Sequence, residues 1–581
     1  MNSTSESPSQ VLPADRRVEW IVGVQGGIPT DRPVWKNVTD APYNADPTGA
    51  RDSSPAFNRA LADMPEGHAL FVPPGAYRLD SGIRWKGKGD HKTLRGAGPG
   101  LSKLLFYWGL IEMGPGAPRE RTGLDLNARR NGLTIDADLS QDAVKGETHI
   151  HLASLPAWVK PGHLYIIDQL DDPDLVQSGG SGGSSHPREQ TGNGPRGLGQ
   201  IILVTSTRQN GPSDVQVNFE IPLYYSFKTA QQAQIAMAGY DAESEAPLSG
   251  CGIEDLFLEA KYATGWSKGV SGHFIRMDSC KNCWVKNVEG YNVPSNCHVW
   301  ASFCYRIEVR DSYFHDSHGY GGGEAYGVAL YNVTSASLVE NNALKQLHCP
   351  LLVCYGASGN VFGYNYVFEG ASSSIASSLA LSTHATHAYM NLWEGNHAVK
   401  MLADWYHGSN SHGILYRNRL LGYEPRDPND HTPVGMEYYC RKWSALGNVL
   451  GTAGYHTLYE KANGEPGSPL DRVIYKLGYR NNFACSQPPY DDLAAMDLLR
   501  HGNWDAATGS VKWDPAIPDH DLPPSLYLKA KPSWFGDLPW PAFGPDVPGL
   551  EGKIPAQARC WGDAPPPTFA PPAPDENLPD R

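Results

Sequence analysis

Between Phe274 and Asn448 short apolar runs alternate with small polar residues, and the alternation repeats. The segments CWVKN, IEVRD, SLVEN, FGYN, WEGN, LYRN and ALGN close on Asn287, Asp311, Asn341, Asn365, Asn396, Asn418 and Asn448. These residues lie 24, 30, 24, 31, 22 and 30 positions apart, which implies a basic coil of 22 to 24 residues with insertions. Self-similarity at such a period marks a solenoid, in which each coil buries its apolar face only against its neighbours. The runs are too short and too rich in Val, Tyr, Phe and Gly for paired helices. Asn side chains stacked at the inter-strand spacing can hydrogen-bond from coil to coil and satisfy a tight turn. The pattern therefore predicts an all-β chain, a parallel β-helix with an Asn ladder.

Counting back from each closing residue resolves the coil further. A second strand occupies the four residues before it, preceded by a turn of Gly, Ser, Asn and Cys, as in DSCKN, NVTSAS and YGASGN. Ahead of the turn lies a first strand: FIRMD, HVWAS, GVALYN, LLVCYG and GMEYY. The extra residues of the long coils, HDSHGYGGGEAYG, EGASSSIASSLALST and YEPRDPNDHTPV, all fall just before this first strand. Loops on a rigid scaffold carry function, so the first strands and these loops are the expected working face.

The ends of the chain divide into recognisable pieces. Residues 1–40 read as an irregular arm. Residues 41–136 contain Asp52 to Met64, with the spacing of a short amphipathic helix, then LFVPPGAYRL as strand, turn, strand, and TLRGAGPGLSKLLF as a first coil. A helix there would plug the open end of the solenoid. This order resembles the N-terminal cap and opening coils of the pectate-lyase-like superfamily, which includes polysaccharide lyases, glycoside hydrolases and phage tailspikes. The resemblance implies a right-handed parallel β-helix; the motifs of its polygalacturonases and of pectate lyase proper are missing, so no catalytic residues carry over. Residues 137–248 contain alternating runs such as HLYIIDQL and DVQVNFEIPL around a Gly- and Ser-rich loop, residues 177–196, expected to be mobile or held by the groove. They read as a small inserted β domain. The main β-helix is assigned to 249–485, and the Pro- and Trp-rich stretch 486–581 to an outer C-terminal strap and tail, its last 17 residues disordered.

Composition narrows the partners. The chain has 48 basic and 62 acidic residues, a formal charge of −14, which gives no electrostatic support for nucleic acid or an anionic membrane. It has no apolar run of membrane-spanning length, and residues 1–20 lack signal-peptide character, so it is expected to be cytoplasmic, or secreted or periplasmic if a leader has been cleaved. Cys280 and Cys304 fall one coil apart, compatible with a disulfide or with stacked buried thiols. Oligomeric state is left open.

Candidate chemistry gathers on the first-strand face. The count places Glu437 and His407 at one position, eleven residues before Asn448 and Asn418, with Asp404 leading into the same strand and His384 and His387 on the preceding coil. A second group, His315, His318 and Glu324, is carried toward the groove by a Gly-rich loop. Trp405 and Tyr438 are candidate stacking platforms for sugar rings, Arg417 a cation for substrate, and Glu394 a structural residue on another face. Asp404 and Glu437 supply the two carboxyl groups that glycoside hydrolysis needs. His407 supplies the base that β-elimination beside a uronate needs. The histidines with a carboxylate also suit a divalent metal, Ca²⁺ or Zn²⁺. The expectation is an enzyme that cleaves a polysaccharide or oligosaccharide, with hydrolysis favoured because a negative protein repels polyuronate, a polysaccharide lyase as the alternative, and a non-catalytic glycan-binding or tailspike-like protein as the reading from another class.

Overall fold

The computed structural model describes residues 11–86, 89–114, 136–180, 182–184, 194–238, 246–261, 272–371, 378–424, 432–462, 468, 471–480 and 490–561. In a coil of the main repeat the chain passes through a first-sheet strand such as Tyr326–Tyr331, a second-sheet strand such as Leu338–Glu340 and a third-sheet strand such as Ala343–Lys345. It then enters the next coil at Cys349–Cys354. Each strand pairs in parallel with its counterpart one coil on, Val328 facing Leu351, Val339 facing Phe362 and Leu344 facing Val367. Three long parallel sheets result, closing a right-handed parallel β-helix. Alternate positions such as Val299, Val328, Leu351 and Met401 point inward and form one continuous core.

The third sheet is absent from the sequence reading. Several of its strands, for example Tyr366–Phe368 and His397–Ala398, are too short to leave a period-two pattern. The opening coils join the main repeat directly, Leu94 facing Ile253 and Ile111 facing Ile275. The helix Ser54–Asp63 turns Phe57, Ala60 and Leu61 onto the end of the core. Between these coils, a six-stranded antiparallel sheet spans Asp136 to Met237, with Ile166 between Ile201 and Ala236. Its apolar side chains pack on Phe303, Tyr305, Val333 and Tyr389, in the turns that follow the first sheet. The solenoid runs on past residue 485, since Leu499–His501 pairs with Ser444–Leu446 and Asn503–Asp505 continues the third sheet.

The Asn ladder forms, one residue away from its expected place in the early coils. The Oδ1 of Asn342, Asn365, Asn396, Asn418, Asn448 and Asn503 each accepts from the backbone N–H of the matching residue one coil earlier, at 2.9–3.0 Å. Each Nδ2 from Asn342 to Asn448 also donates to the next Asn up the ladder at 2.9–3.0 Å. Asn287, Asp311 and Asn341 sit one residue earlier, at φ of 51°, 55° and 56°, on the outer side of the turn. There Asn341 donates to Asp311 at 2.7 Å. Asn is the side chain that best tolerates this left-handed position, so the pair Asn341–Asn342 offers both columns the same residue type. A shorter ladder of Asn360 and Asn391 serves the preceding turn. Cys280 and Cys304 are free and buried, and the Cys280 N–H donates to the Cys304 thiol at 3.4 Å, which makes the thiols rungs of the same kind.

Parts of the N-terminal arm and of the C-terminal strap lie on the outer face of the second sheet. Val11, Leu12 and Trp20 from the N-terminal arm and Leu522 from the C-terminal strap cover Leu338, Val361, Leu392 and Ile414. The strap is tied by polar groups as well: the Leu526 N–H donates to Glu394 at 2.8 Å and the Tyr527 hydroxyl to Glu340 at 2.7 Å. Arg417, expected in the groove, is instead a strap anchor. Its guanidinium is buried, holds both carboxylate oxygens of Asp546 at 2.6 and 2.8 Å, and donates to the carbonyls of Leu522, Pro523 and Phe543. The expectation for the last 17 residues lies outside the described residues, as do residues 1–10 of the arm and much of two of the long loops.

Two outcomes follow from these contacts. Replacing Asn365 with Leu leaves the Asn342 backbone N–H and neighbouring amides unsatisfied, and lowers stability in a denaturant titration by about 1–3 kcal/mol, whereas Asn341→Leu costs less. Burial pushes the Glu394 carboxyl up to about 7, so the folded state prefers it protonated. Its contribution is fully present below the unfolded value near 4.5 and lost as pH rises through about 7. Between about pH 5 and pH 8 the wild type loses stability relative to Glu394→Gln, on the order of 2 kcal/mol; parallel pH profiles would contradict this.

Candidate functional site

Alternation along the first sheet decides which side chains leave the core. Leu381, Met401, Ala403, Val434 and Met436 point inward, so His384, Asp404 and Glu437 point out. Thr383 faces Ala403 and Ala403 faces Met436, which sets His384, Asp404 and Glu437 side by side on three successive coils, about 4.8 Å apart at the backbone. Tyr331 and Cys354 continue the column on the earlier coils. Glu437 is therefore the neighbour of Asp404, and not of His407 as the count from the ladder implied. Asp404 stands fourteen residues before Asn418 and Glu437 eleven before Asn448, because Trp405, Tyr406 and His407 lengthen the turn of that coil.

The cluster is tightly made. His384 Nδ1 lies 2.8 and 2.9 Å from the two oxygens of Asp404 and donates into that carboxylate. Asp404 also accepts the Tyr406 N–H at 2.9 Å, and Glu437 accepts the Trp405 N–H at 2.8 Å. His407 meets the His384 ring edge to face, at 5.2 Å between centroids. Asp404 and Glu437 are only 5% and 3% exposed. Burial works against a charged His384, but the charge and hydrogen bond of Asp404 outweigh it and raise the ring above the ordinary histidine value. For His407, burial and then the charge of His384 push the ring down. The two imidazoles are thus poised differently, one to hold a proton and one to lack it.

Aromatic groups surround this centre. Trp405 packs against Tyr438 at 4.9 Å, and Tyr406, 43% exposed, stacks beside His384 at 6.0 Å. Along the same outer face Trp300 and Tyr331 stack at 3.6 Å, with Tyr326 and Tyr355 in the same cluster. The Arg480 guanidinium lies 5.7 Å over the Trp405 ring. Arg480 follows Tyr479, the residue in register with Glu437, a relation that only the strand pairing reveals. A hairpin from the inserted sheet, Gly179–Gly180 with Gly183–Ser184, rests on the same turn. The Gly182 N–H donates to the Tyr406 carbonyl at 2.6 Å, and Gln177 exchanges two hydrogen bonds with Ser409. A Cβ on Gly180 would meet the Trp405 carbonyl oxygen at 1.7 Å, so only glycine allows this approach. The described ends of the Gly- and Ser-rich loop are held by the groove; its residues 181 and 185–193 lie outside the described residues.

The remaining expected residues lie elsewhere. His387 is buried in the turn below the inserted sheet, bonded to Ser409 and Ser411, and burial pushes its ring down to about 3. His315 is on the outside of the third sheet, between Asp316 and Glu289. His318 bonds the Ala260 carbonyl at 2.8 Å. Glu324 caps its own loop through the Gly321 N–H, seven positions before Tyr331 and three coils from Asp404. Among the described residues no three His, Cys, Asp or Glu side chains converge to hold a metal ion. At the site itself His384 and Asp404 aim their donor atoms at each other rather than at a common point, which does not fit a divalent cation.

No protein-family model matches this chain. No curated protein matches it in sequence. Among solved structures it is similar to the tailspike gp61 of Pseudomonas phage phi297, at 11% identity over 82% of this chain and 84% of that one, with a TM-score of 0.36. It is also similar to the A-module of the Azotobacter vinelandii mannuronan C-5 epimerase AlgE6, at 11% identity over 81% and 99%, with a TM-score of 0.38. The catalytic unit of the GH87 alpha-1,3-glucanase from Streptomyces thermodiastaticus strain HF3-3 matches at 13% identity over 84% and 71%, with a TM-score of 0.31. Likeness at this level says nothing about the site.

The opposed environments of the two imidazoles have a direct readout. In an NMR titration of ring carbons, His384 titrates at higher pH than His407, and Asp404→Asn moves the His384 midpoint down by a unit or more, about the effect of removing one close carboxylate.

Proposed function

We propose that this chain is a polysaccharide-cleaving enzyme that works in the groove along the first sheet. The observation that carries the reading is the His384–Asp404 pair beside Glu437 at the C-terminal edge of that sheet. A histidine fixed by a carboxylate through one ring nitrogen presents the other nitrogen for proton transfer, with its tautomer set. The flanking rings of Trp405, Tyr406, Tyr438 and Trp300 suit the apolar faces of sugars.

The geometry favours elimination beside a uronate over hydrolysis. Asp404 is committed to His384, which leaves Glu437 without a second free carboxyl of the kind a hydrolase requires. In elimination, His384, uncharged above its raised pKa, takes the proton beside the uronate carboxyl on the nitrogen not bonded to Asp404, and the bond to the leaving sugar oxygen breaks as the double bond forms. Arg480 answers the charge objection: stacked on Trp405, it brings a local cation for the uronate carboxylate to a protein that is negative overall. Glu437, buried and held by the Trp405 N–H, is the group to return a proton to the leaving oxygen. Hydrolysis retains one supporting argument, since Asp404 and Glu437 leave adjacent strands, about 4.8 Å apart at the backbone, near the roughly 5–5.5 Å carboxyl separation of retaining enzymes.

The test is digestion of a glycan panel, neutral and uronate-containing, with product masses. Elimination yields an unsaturated product lighter by one water than the hydrolysis product. On the glycan that is cut, His384→Ala and Glu437→Gln each lower kcat/KM by roughly 10²–10⁴-fold, and the double variant costs far less than the product of the two. With His384 as base, kcat/KM falls as pH drops through its raised pKa. Binding without turnover across the panel would favour the non-catalytic reading.

A further inference from the structure

A cavity lies on a face of the solenoid away from the His384–Asp404 pair. It has a volume of ≈ 500 Å³, within the range of small-ligand pockets, and opens on the outside of the third sheet beneath the C-terminal helix Pro555–Trp561. Its origin is one small residue. In the outward column Phe257, Glu289, Tyr313, Ala343, Tyr366 and His397, every position except Ala343 carries a large side chain. The helix bridges the gap with Arg559 and Cys560 without filling it.

The lining is not that of a packing defect. Defects in folded chains are apolar, because charges without water or partners are costly. Here Glu289, Asp311, Lys345 and Arg559 reach the cavity beside Tyr313 and Phe368. The charged groups are positioned by contacts outside the cavity. Glu289 holds His315 at 3.3 Å, Asp311 holds Arg310 at 2.9 Å, Lys345 holds Glu369 at 3.4 Å, and Arg559 donates to the Asn341 carbonyl. Tyr313 lies flat against His315 at 4.2 Å and 13°, and His315 lies against Tyr291 at 5.0 Å, so the ring is rigidly supported.

We propose that this cavity is a second, non-catalytic binding site for neutral sugar rings. A supported aromatic ring offers the platform for a sugar face, and two carboxylates with an amine and a guanidinium offer acceptors and donors for hydroxyls. The two carboxylates are balanced by two cations, so the site has no net charge to draw a uronate and suits a neutral residue. It lies outside the groove, and a polymer held here keeps cleavable segments near the first sheet. Only that last link rests on the proposed function; sugar binding at the third sheet stands by itself.

The experiment uses the full chain on an array of neutral hexasaccharides covering α- and β-linked glucans, mannans and galactans, with calorimetric titration of the best binder. Wild type and His384→Ala bind alike, while Tyr313→Ala, Lys345→Ala and the cavity-filling Ala343→Phe each weaken binding at least tenfold at an unchanged melting temperature. Lys345→Ala, at the surface, guards against a folding defect in the other two. Turnover of short soluble substrates is unchanged in the Lys345 variant. Absence of neutral-glycan binding by His384→Ala protein, or equal affinity in all three cavity variants, overturns the proposal. Loss of turnover in His384→Ala is scored separately, so the failure of one reading does not pass for the failure of the other.

Discussion

Everything in this molecule depends on stacking backbone on backbone at one inter-strand spacing. A turn buried between two coils has amide groups that no strand partner can reach, and each buried unpaired amide costs as much as a hydrogen bond yields. The column from Asn342 to Asn503 removes that cost by letting each side chain replace the missing partner one coil earlier. Where the column runs out toward the N-terminus, Ser312 and Asn342 still serve the turns before them, and in the neighbouring turn the thiols of Cys283 and Cys304 accept the same kind of N–H. Once the turns are fixed, register is fixed, and register alone brings His384, Asp404 and Glu437 together from positions 20 and 33 residues apart in sequence.

That same register creates an electrostatic contest. Three ionisable groups at strand spacing under heavy burial would be expected to neutralise one another or lose their charges. The hydrogen bond from His384 to Asp404 resolves the contest, since Nδ1–H donates into the carboxylate whether the ring is neutral or charged, and the backbone amides of Tyr406 and Trp405 donate to Asp404 and Glu437. His407 is pushed toward the uncharged form by burial and then by the charge that His384 carries when protonated. Elsewhere buried carboxylates, Glu340 and Glu394, meet strap groups and are pushed up by burial to about 7. Burial dominates for both even though Arg310 lies 3.1 Å from Glu340 and the charge of Arg417 acts on Glu394.

The fold was legible because its period is written in residue types that cannot be exchanged: Asn365, Asn396, Asn418 and Asn448 are both the sequence marks and the ladder. The candidate cluster was legible in part. Asp404, His384, His407, Glu437, Trp405 and Tyr438 were named from the sequence and lie at one place, but their pairing was misread, since counting from the ladder crosses a turn whose length changes from coil to coil. Arg417 was misplaced because its neighbours are 105 to 129 residues away in the strap, a contact without any local sign. Arg480 was missed for the same reason, and the third sheet because its strands along the later coils have only two or three residues and carry no periodicity.

The lengthened turn that defeated the count is also what gives the groove its wall. The inserted sheet leaves the solenoid after Ile111–Gly114, yet its glycine hairpin meets the chain at Trp405 and Tyr406, six strands further along the first sheet, about 29 Å at strand spacing. Reaching so far along a solenoid costs little loop entropy per added residue, but the seat at the end must be made by contacts strong enough to order it. It is made largely by backbone: Gly182 N–H to the Tyr406 carbonyl, Ser409 N–H to the Gln177 carbonyl with the Gln177 N–H returned to the Ser409 hydroxyl, and a van der Waals approach at Gly180 that no Cβ would permit. A backbone seat of this kind positions the turn that carries Trp405, Tyr406 and His407, and with it the amides that hold Asp404 and Glu437. The insert therefore acts on the centre through its framework, and changes in its glycines reach the carboxylates without touching them.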